Sequence, residues 1–326
     1  MTSYDLRDVL AARLGGLSAA QTSAAVDRLI AHYRGETPTD APVLRDRADV
    51  VAYAAYRMPA THAAAGAALD ALALRAPSWA PGSHLDIGGG TGAATWAVAG
   101  TWSGVASTVV DWAGPALDLG QELAEEAGID ARWTRGSLKN GGGELPHADL
   151  VTLSYVLGEL EPGDRRAAVE AAAGAAGGAV VLVEPGTPDG YLRIREARDA
   201  LIAAGLRVIA PCPHSGTCPI VVGEDWCHFA VRVARSSLHR RVKGGELGHE
   251  DEKFSYVAAV RDGVTGGLPA RARIVRRPRT RKGQVLLDLC DGVGLEGATV
   301  TKRHGEAYRE ARKAEWGDTW EGAGRP

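Results

Sequence analysis

The chain has 326 residues, a formal net charge of −3 and a hydrophobic fraction of 45%, values that are ordinary for a soluble globular protein. No apolar run approaches the ~20 residues that a bilayer-spanning helix needs, and the charged N-terminus lacks the apolar centre of a signal peptide. We therefore expect a cytoplasmic protein without a membrane partner, whose cysteines stay reduced rather than paired in disulfides.

Residues 1–80 are predicted to form an N-terminal helical region. Its strongest segment, Tyr56–Ala76, is rich in alanine, which is the best helix former. Pro59 is expected in the first turn of that helix, where a missing N–H costs nothing. Two prolines and a glycine in the following "APSWAPGS" end the helical pattern.

Residues 81–205 are predicted to form a Rossmann-like core. Short apolar runs of strand length alternate there with helical segments, which indicates a parallel sheet covered on both faces. The predicted strands are HLDIGGG, ASTVVDW, ADLVTLSYV and GAVVLVEPG, and the predicted helices are TGAATWAVAGTW, ALDLGQELAEEAG and PGDRRAAVEAAAGAAG.

The rest of the chain is less regular. Residues 206–269 are expected to complete the sheet with LRVIAPCPH and KFSYVAAVR, and they include a cysteine loop and a basic segment. Residues 270–326 are expected to form a small β module from ARIVRRPR, GQVLLDLC and GATVTKR, followed by a polar helical tail.

A glycine-rich loop, LDIGGGTGAAT (Leu85–Thr95), follows the first predicted strand and opens a helix. Glycines let the backbone bend tightly and approach a ligand, and the start of a helix offers unpaired N–H groups. The alternative is that these glycines serve only to pack the helix on the strand.

The residues around this loop favour S-adenosylmethionine over a dinucleotide. Asp86 occupies the position of the acid that faces the amino-acid end of the ligand in S-adenosylmethionine methyltransferases. Asp111 ends the next strand, where a carboxylate can accept hydrogen bonds from ribose hydroxyls, with Trp112 beside the adenine. We therefore predict an α/β, Rossmann-like class I S-adenosylmethionine methyltransferase fold. The predicted cofactor-binding residues are Asp86, Gly88, Gly90, Gly92, Asp111, Trp112, Ser137, Leu138, Ser154 and Tyr155.

Methyl transfer itself is left open by the sequence. The fourth strand ends in LSYVLGEL, without the Asn/Asp-Pro-Pro-Tyr/Phe motif of enzymes that methylate exocyclic base amines. The cysteines follow the fifth strand rather than the fourth, which argues against a 5-methylcytosine nucleophile. Tyr155, Glu159 and Glu184 are candidate general bases by position alone, and each equally fits a structural role, so no catalytic residue is assigned.

The four cysteines are Cys212, Cys218, Cys227 and Cys290. Four thiolates can hold a tetrahedral zinc ion or an iron–sulfur cluster. The spacing lacks the tight Cys-x2–4-Cys knuckles of zinc sites and suits a 4Fe–4S cluster better, with zinc as the second choice. Four unrelated thiols are the alternative without a metal.

Residues 231–282 carry 14 lysines and arginines against 5 aspartates and glutamates, which suggests a face that meets a polyanion. Scattered, solvated arginines are the alternative. The densest stretch supplies the RNA-binding candidates Arg271, Arg273, Arg276, Arg277, Arg279, Arg281 and Lys282.

Taken together, these motifs resemble the Rsm-twenty-two-like family over nearly the whole chain. The likeness rests on AYRMPATHAA, LDIGGGTGAATWA, SYVLGEL, VEPGTPDGY, PCPHSGTCP, WCHF and EDEKFSYV. The resemblance implies an S-adenosylmethionine-binding protein of the small ribosomal subunit, implicated in its assembly and associated with its rRNA. It also implies a 4Fe–4S cluster on Cys212, Cys218, Cys227 and Cys290, and an rRNA-facing role for the basic stretch.

We thus expect a monomeric, cytoplasmic assembly factor or rRNA methyltransferase of the small ribosomal subunit. The alternative is a zinc-stabilised methyltransferase that acts on a non-ribosomal substrate.

Overall fold

The structure, a computed structural model, describes residues 6–14, 47–137, 145–234, 248–264 and 266–322, with isolated positions between 20 and 28. Leu138, one of the predicted cofactor-binding residues, lies outside the described residues. None of the described helices is long and apolar enough to span a membrane.

Within the described residues, the larger sheet has eight strands in the order β3-β2-β1-β4-β5-β8-β6, with β7 also paired to β8. The first five strands of this order run parallel, and β8 runs antiparallel to β5, β6 and β7. This arrangement confirms the predicted Rossmann-like α/β fold of the class I methyltransferase type. The strands are β1 Ser83–Ile87, β2 Ala106–Asp111, β3 Ala131–Arg135, β4 Ala148–Ser154, β5 Ala176–Pro185, β6 Arg207–Ala210, β7 Phe229–Ala234 and β8 His249–Val260.

Helices cover both faces of this sheet, so the strands β4 and β5 are buried along nearly their whole length. Leu69 and Leu72 of α2 pack with Val181 on one face, while Val169 of α5 and Leu201 of α6 pack on the other. The helices are α1 Leu6–Leu14, α2 Arg47–Arg75, α3 Ala93–Thr101, α4 Gly114–Ala127, α5 Pro162–Ala175, α6 Pro188–Ala203 and α7 Glu306–Ala311.

The helix α2 begins earlier than the sequence predicts, and Pro59 lies in its middle rather than in its first turn. An internal proline costs a helix about 3 kcal/mol because it removes one hydrogen bond and crowds the preceding turn. The extra turns bury Val50, Val51 and Ala54 against α1 and α4. This tertiary packing offsets the proline and extends the helix toward the N-terminus.

A second sheet forms the predicted β module. Within the described residues it has five strands in the order β10-β11-β9-β13, with β12 paired to β11. The sequence predicts a helical tail at this end, whereas the structure also has a strand there. After α7 the chain comes back to the sheet, where β13 pairs with β9. The strands are β9 Ala272–Ile274, β10 Arg279–Arg281, β11 Gln284–Asp291, β12 Leu295–Thr301 and β13 Thr319–Trp320. The predicted domain boundaries at 80, 205 and 269 fall between these elements and stay a prediction.

Replacing Leu69 by alanine should lower the free energy of unfolding by about 2–5 kcal/mol, because Leu69 is fully buried between α2 and the sheet. Leu74→Ala is the matched control on the same helix, since 65% of Leu74 is exposed, and it should change stability by less than ~0.5 kcal/mol. Urea denaturation measures both. Equal losses in the two variants would contradict the described burial of α2.

Candidate functional site

The glycine-rich loop lies at the carboxyl ends of the parallel strands, where open α/β sheets bind their ligands. Gly88, Gly90 and Gly92 all have left-handed φ angles, of 67°, 53° and 81°, which side chains other than hydrogen adopt with difficulty. A Cβ at Gly92 would also lie 2.5 Å from the ring of Trp133. The backbone therefore favours glycine at all three positions, and packing also requires it at Gly92. We call the region beside this loop, at the carboxyl ends of β1, β2 and β4, the glycine cleft.

Asp86 does not face this cleft. It is fully buried beneath the loop, where it accepts hydrogen bonds from the hydroxyls of Thr152 (2.8 Å) and Thr95 (3.0 Å). Burial raises the pKa of Asp86 to about 6, although the hydrogen bonds from Thr152 and Thr95 act to lower it. Both oxygens of Asp86 thus have partners inside the protein, and its predicted role at the amino-acid end of the ligand stays a prediction.

A buried polar chain continues from Asp86 across three strands. Because the Thr152 hydroxyl donates to Asp86, it accepts from Nε2 of His84, 2.8 Å away. His84 Nδ1 then accepts from the hydroxyl of Ser107, 3.1 Å away. Burial lowers the pKa of His84 to about 3, so the ring is neutral. One ring nitrogen then donates and the other accepts, so the donors all point from Ser107 toward Asp86.

Asp111 is the residue with the predicted ribose contact, which stays a prediction. It ends β2 and accepts the backbone N–H groups of Gly90 (2.9 Å) and Ala113 (2.8 Å), which fix its carboxylate at the rim of the cleft. Burial raises the pKa of Asp111, while these backbone bonds act against the shift. The neighbouring Trp112 is 60% exposed, and Ser137 is exposed just after β3.

The end of β4 carries a buried hydroxyl and a strained residue. Ser154 Oγ is buried and has no hydrogen-bond partner among the described residues. Tyr155 adopts a left-handed φ of 61°, which is costly for a residue with a side chain and is common at functional sites. Its hydroxyl donates to Glu252 on β8 (2.9 Å), and Arg57 on α2 pairs with the same carboxylate (3.3 Å).

Two further acids, Glu159 and Glu184, follow β4 and lie near the end of β5. Glu159 is exposed to solvent. Loss of surrounding water, followed by the negative charges of Asp111 and Glu184, raises its pKa to about 7. Glu184 is buried, pairs with Arg193 of α6 at 2.6 Å and accepts the N–H of Leu157. Glu184 is therefore a structural residue, whereas Glu159 remains available to a ligand.

All four cysteines line a single cavity between the two sheets, which we call the cysteine cavity. Its walls come from the loop after β6 and from α6, β8, β9 and β11. The fold thus brings Cys290 to the same cavity as Cys227, although 62 residues lie between them in the chain. Among the described residues, no group of three or more His, Cys, Asp or Glu side chains is arranged to hold a metal ion.

The thiols of the cavity affect one another. Burial raises the pKa of Cys212, and the nearby Cys218 raises it further. Cys227 has its pKa raised well above the usual value by burial and then by the other three cysteines, and Cys290 has its pKa raised to about 12. Four thiolates could therefore coexist here only with a compensating positive charge.

Arginines hold the cysteine loop in place. The segment 211–228 has no helix or strand, and its carbonyl groups accept from side chains instead. Arg198 donates to the carbonyls of His214 (3.0 Å) and Gly216 (2.6 Å), Arg195 donates to that of Ile220 (3.0 Å), and Arg273 donates to that of Pro211 (2.9 Å).

The predicted RNA-binding residues divide into three groups. Arg273 is buried inside the cysteine cavity, so its predicted role in RNA contact is corrected. Arg276 is half-buried and pairs with Asp225, and Arg279 pairs with Asp288 at 3.3 Å. The exposed remainder is Arg271, Arg277, Arg281 and Lys282.

Sequence reasoning missed Arg57, Glu252, Arg193 and Arg198. None of them lies in a recognisable spacing, and each becomes informative only when the fold brings it to a second element. Glu252 lies within the motif EDEKFSYV, and Arg193 and Arg198 follow the motif VEPGTPDGY, but the sequence alone does not reveal their contacts.

Fold and site together define a Rossmann-like protein of the class I methyltransferase type, extended by a β module and a cysteine-lined cavity. The family model described as "Mitochondrial small ribosomal subunit Rsm22" matches residues 47–321. The chain therefore belongs to the Rsm22 family, which confirms the resemblance found in its motifs.

Two named relatives are "Ribosome assembly protein METTL17, mitochondrial" from Homo sapiens and "Rsm22-cox11 tandem protein 2, mitochondrial" from Schizosaccharomyces pombe. The first is 28% identical over 301 residues, which cover 82% of this chain and 61% of the relative. The second is 30% identical over 183 residues, which cover 44% of this chain and 24% of the relative. The chain thus spans less than two thirds of the length of these relatives.

A solved structure, an O-methyltransferase family protein from Burkholderia thailandensis, superposes with a TM-score of 0.46 at 14% identity, covering 74% of this chain and 70% of that one.

The predicted cytoplasmic location is wrong on this comparison. The matching relatives are named as mitochondrial proteins, which points to the mitochondrion rather than the cytoplasm.

The free energy of unfolding of Asp86→Asn, relative to that of the wild type, should be higher at pH 7 than at pH 4.5 by roughly 2 kcal/mol. The unfolded chain releases this proton near pH 4, whereas the folded protein holds it until about pH 6. The folded state therefore binds more protons between these values, and the stability that Asp86 contributes falls as the pH rises through 6.

Urea denaturation of the wild type and Asp86→Asn at both pH values measures this difference, with the exposed Asp130→Asn as the control. An Asp86→Asn effect that is the same at both pH values would contradict the raised pKa.

Proposed function

We propose that this chain is an S-adenosylmethionine-binding, iron–sulfur-containing assembly factor of the small ribosomal subunit that contacts its rRNA. The observation that carries the proposal is that three cysteines of one loop and the sequence-distant Cys290 line one cavity. The assembly role is supported by family membership and by relatives whose names call them ribosome assembly proteins.

The glycine cleft supports S-adenosylmethionine as the ligand. Asp111 has a fixed carboxylate at the cleft rim for ribose hydroxyls, and the exposed ring of Trp112 offers a stacking face to the adenine. Ser154 supplies a buried hydroxyl without a partner among the described residues. The acids Asp111 and Glu159 suit a ligand that carries a positive sulfonium and ammonium group.

The cysteine cavity supports a 4Fe–4S cluster as the second cofactor. Thiolates are the ligands that such clusters use, and this cavity is lined by four cysteines from two separate parts of the chain. The centre would join the loop, through Cys212, Cys218 and Cys227, to the β module, through Cys290. Zinc bound by the same thiols remains the second candidate.

Methyl transfer is a further step that the residues support less strongly. The Tyr155 hydroxyl is engaged by Glu252 and burial raises its pKa well above the usual value, so it does not act as a base near neutral pH. Glu159, with a pKa of about 7, is the acid of the cleft that can exchange a proton. A methylation map of small-subunit rRNA from a deletion strain decides this: one missing methyl group supports an enzyme, and an unchanged map with delayed subunit maturation supports a non-catalytic factor.

Anaerobically purified protein should contain about four irons per chain, absorb broadly in the visible region and carry a bound S-adenosyl nucleoside. Cys227→Ser should lose the iron, because one of four ligands is removed, while Thr217→Ser in the same loop should retain it. Metal analysis, absorbance spectra and mass spectrometry measure these results. A colourless wild type with stoichiometric zinc would reject the cluster in favour of zinc.

The rRNA contact is assigned to the exposed part of the basic stretch, on and beside β10. Replacing Arg277 and Arg281 together by alanine should weaken binding to small-subunit rRNA and reduce the slope of log K against log salt by about 1–2, because each lost phosphate contact releases fewer counterions. The matched control is Arg132→Ala with Arg166→Ala, which removes two exposed arginines from other surfaces. If both double variants changed the slope equally, the proposal that β10 is part of the RNA-binding surface would be wrong.

A further inference from the structure

Two permanently charged side chains are buried in the wall of the cysteine cavity. Arg198 comes from α6 and Arg273 comes from β9, and each is 3% exposed. Guanidinium groups keep their charge under all conditions in proteins, so they cannot escape the cost of burial by losing a proton. Burying a cation is unfavourable unless an anion or several hydrogen bonds compensate it.

Both arginines have hydrogen-bond partners, but each also keeps one buried N–H group without a partner among the described residues. Arg273 donates Nε to the carbonyl of Pro211 and Nη1 to that of Gly317, and Nη2 is buried without a partner among the described residues. Arg198 donates to His214, Gly216 and Asp199, and its Nε is buried without a described partner. The Asp199 side chain is 64% exposed, so water screens its charge.

The four thiols line the same cavity as both arginines. If all four thiols bound a cluster core that carries two positive charges, the centre would have a net charge of two negatives. The two buried guanidinium groups are opposite to this charge in sign and equal to it in number.

We propose that Arg198 and Arg273 are the charge-balancing residues of the cysteine cavity, each held rigid by loop carbonyls and each offering one further N–H to the sulfur atoms of an anionic tetrathiolate centre. This inference rests on the proposed iron–sulfur function. It assigns Arg273 to the interior rather than to RNA, and it adds Arg198, which no motif singled out.

The arrangement has a consequence for the one-electron reduction of the centre. Reduction adds a third negative charge, and nearby cations stabilise that charge in a medium of low dielectric constant. Arg198 and Arg273 therefore raise the reduction potential of the centre. Replacing either by a neutral side chain of similar length removes a positive charge and lowers the potential.

The experiment is a redox titration of the full chain with dithionite under anaerobic conditions, followed by visible absorbance and electron paramagnetic resonance. For Arg198→Met and Arg273→Met we expect the ratio of oxidised to reduced centre at the wild-type midpoint to rise by about tenfold, which is a shift of 59 mV for one electron. Arg198→Lys and Arg273→Lys keep the charge and should recover at least half of the shift.

Arg261→Met is the matched control. Arg261 also donates to two backbone carbonyls, those of Ala176 (2.7 Å) and Ala173 (2.6 Å), but it does not line the cysteine cavity. Its replacement should destabilise the fold without moving the midpoint.

The outcomes separate the two proposals. A wild type that contains iron, with the same midpoint in the methionine variants as in Arg261→Met, overturns the assignment of the arginines and leaves the cluster intact. A wild type without iron overturns both. If a methionine variant loses the cluster altogether, retention in the corresponding lysine variant supports charge balance, and loss in both variants overturns it.

Discussion

A partly buried segment without regular structure imposes the main constraint on this fold. Residues 211–228 cross the junction between the two sheets, and their carbonyl groups cannot pair within a helix or a ladder. Arginines 195 and 198 of α6 and Arg273 of β9 donate to those carbonyls instead. The positions of the cysteines in this segment are therefore set by side chains that lie on both sides of the junction, and the cavity exists only when the Rossmann-like core and the β module are packed together.

The helix α6 and the strand β8 carry residues of both the cysteine cavity and the glycine cleft. The helix α6 pairs Arg193 with Glu184 near the cleft, and its Tyr191 hydroxyl lies 3.4 Å from the sulfur of Cys218. The strand β8 carries Glu252, which accepts from Tyr155 at the cleft, and Ser255, whose hydroxyl donates to the carbonyl of Cys227 at 2.7 Å. The two sites thus share a rigid helix and a central strand, and neither can be distorted far without moving groups of the other.

Charge is divided between the two sites. The glycine cleft gathers the carboxyl groups of Asp111, Glu159 and Glu184, of which one is neutralised by Arg193. The cysteine cavity gathers neutral thiols and two buried guanidinium groups. A cleft of negative potential suits a cationic sulfonium nucleoside, and a cavity of positive potential suits an anionic metal–thiolate centre. This division of charge supports the two ligands that we propose.

The sequence by itself determined the alternation of strands and helices, the glycine loop and the family, because these depend on local periodicity and on motifs that are continuous in the chain. It also pointed to the four cysteines through their rarity. Only the tertiary structure decided that Asp86 and Arg273 lie inside the protein, that α2 continues through Pro59, and that Arg198 and Glu252 belong to the sites. The physical reason is that burial and pairing of a charged side chain depend on partners far away in the chain, and no local pattern of residues encodes which partner it meets.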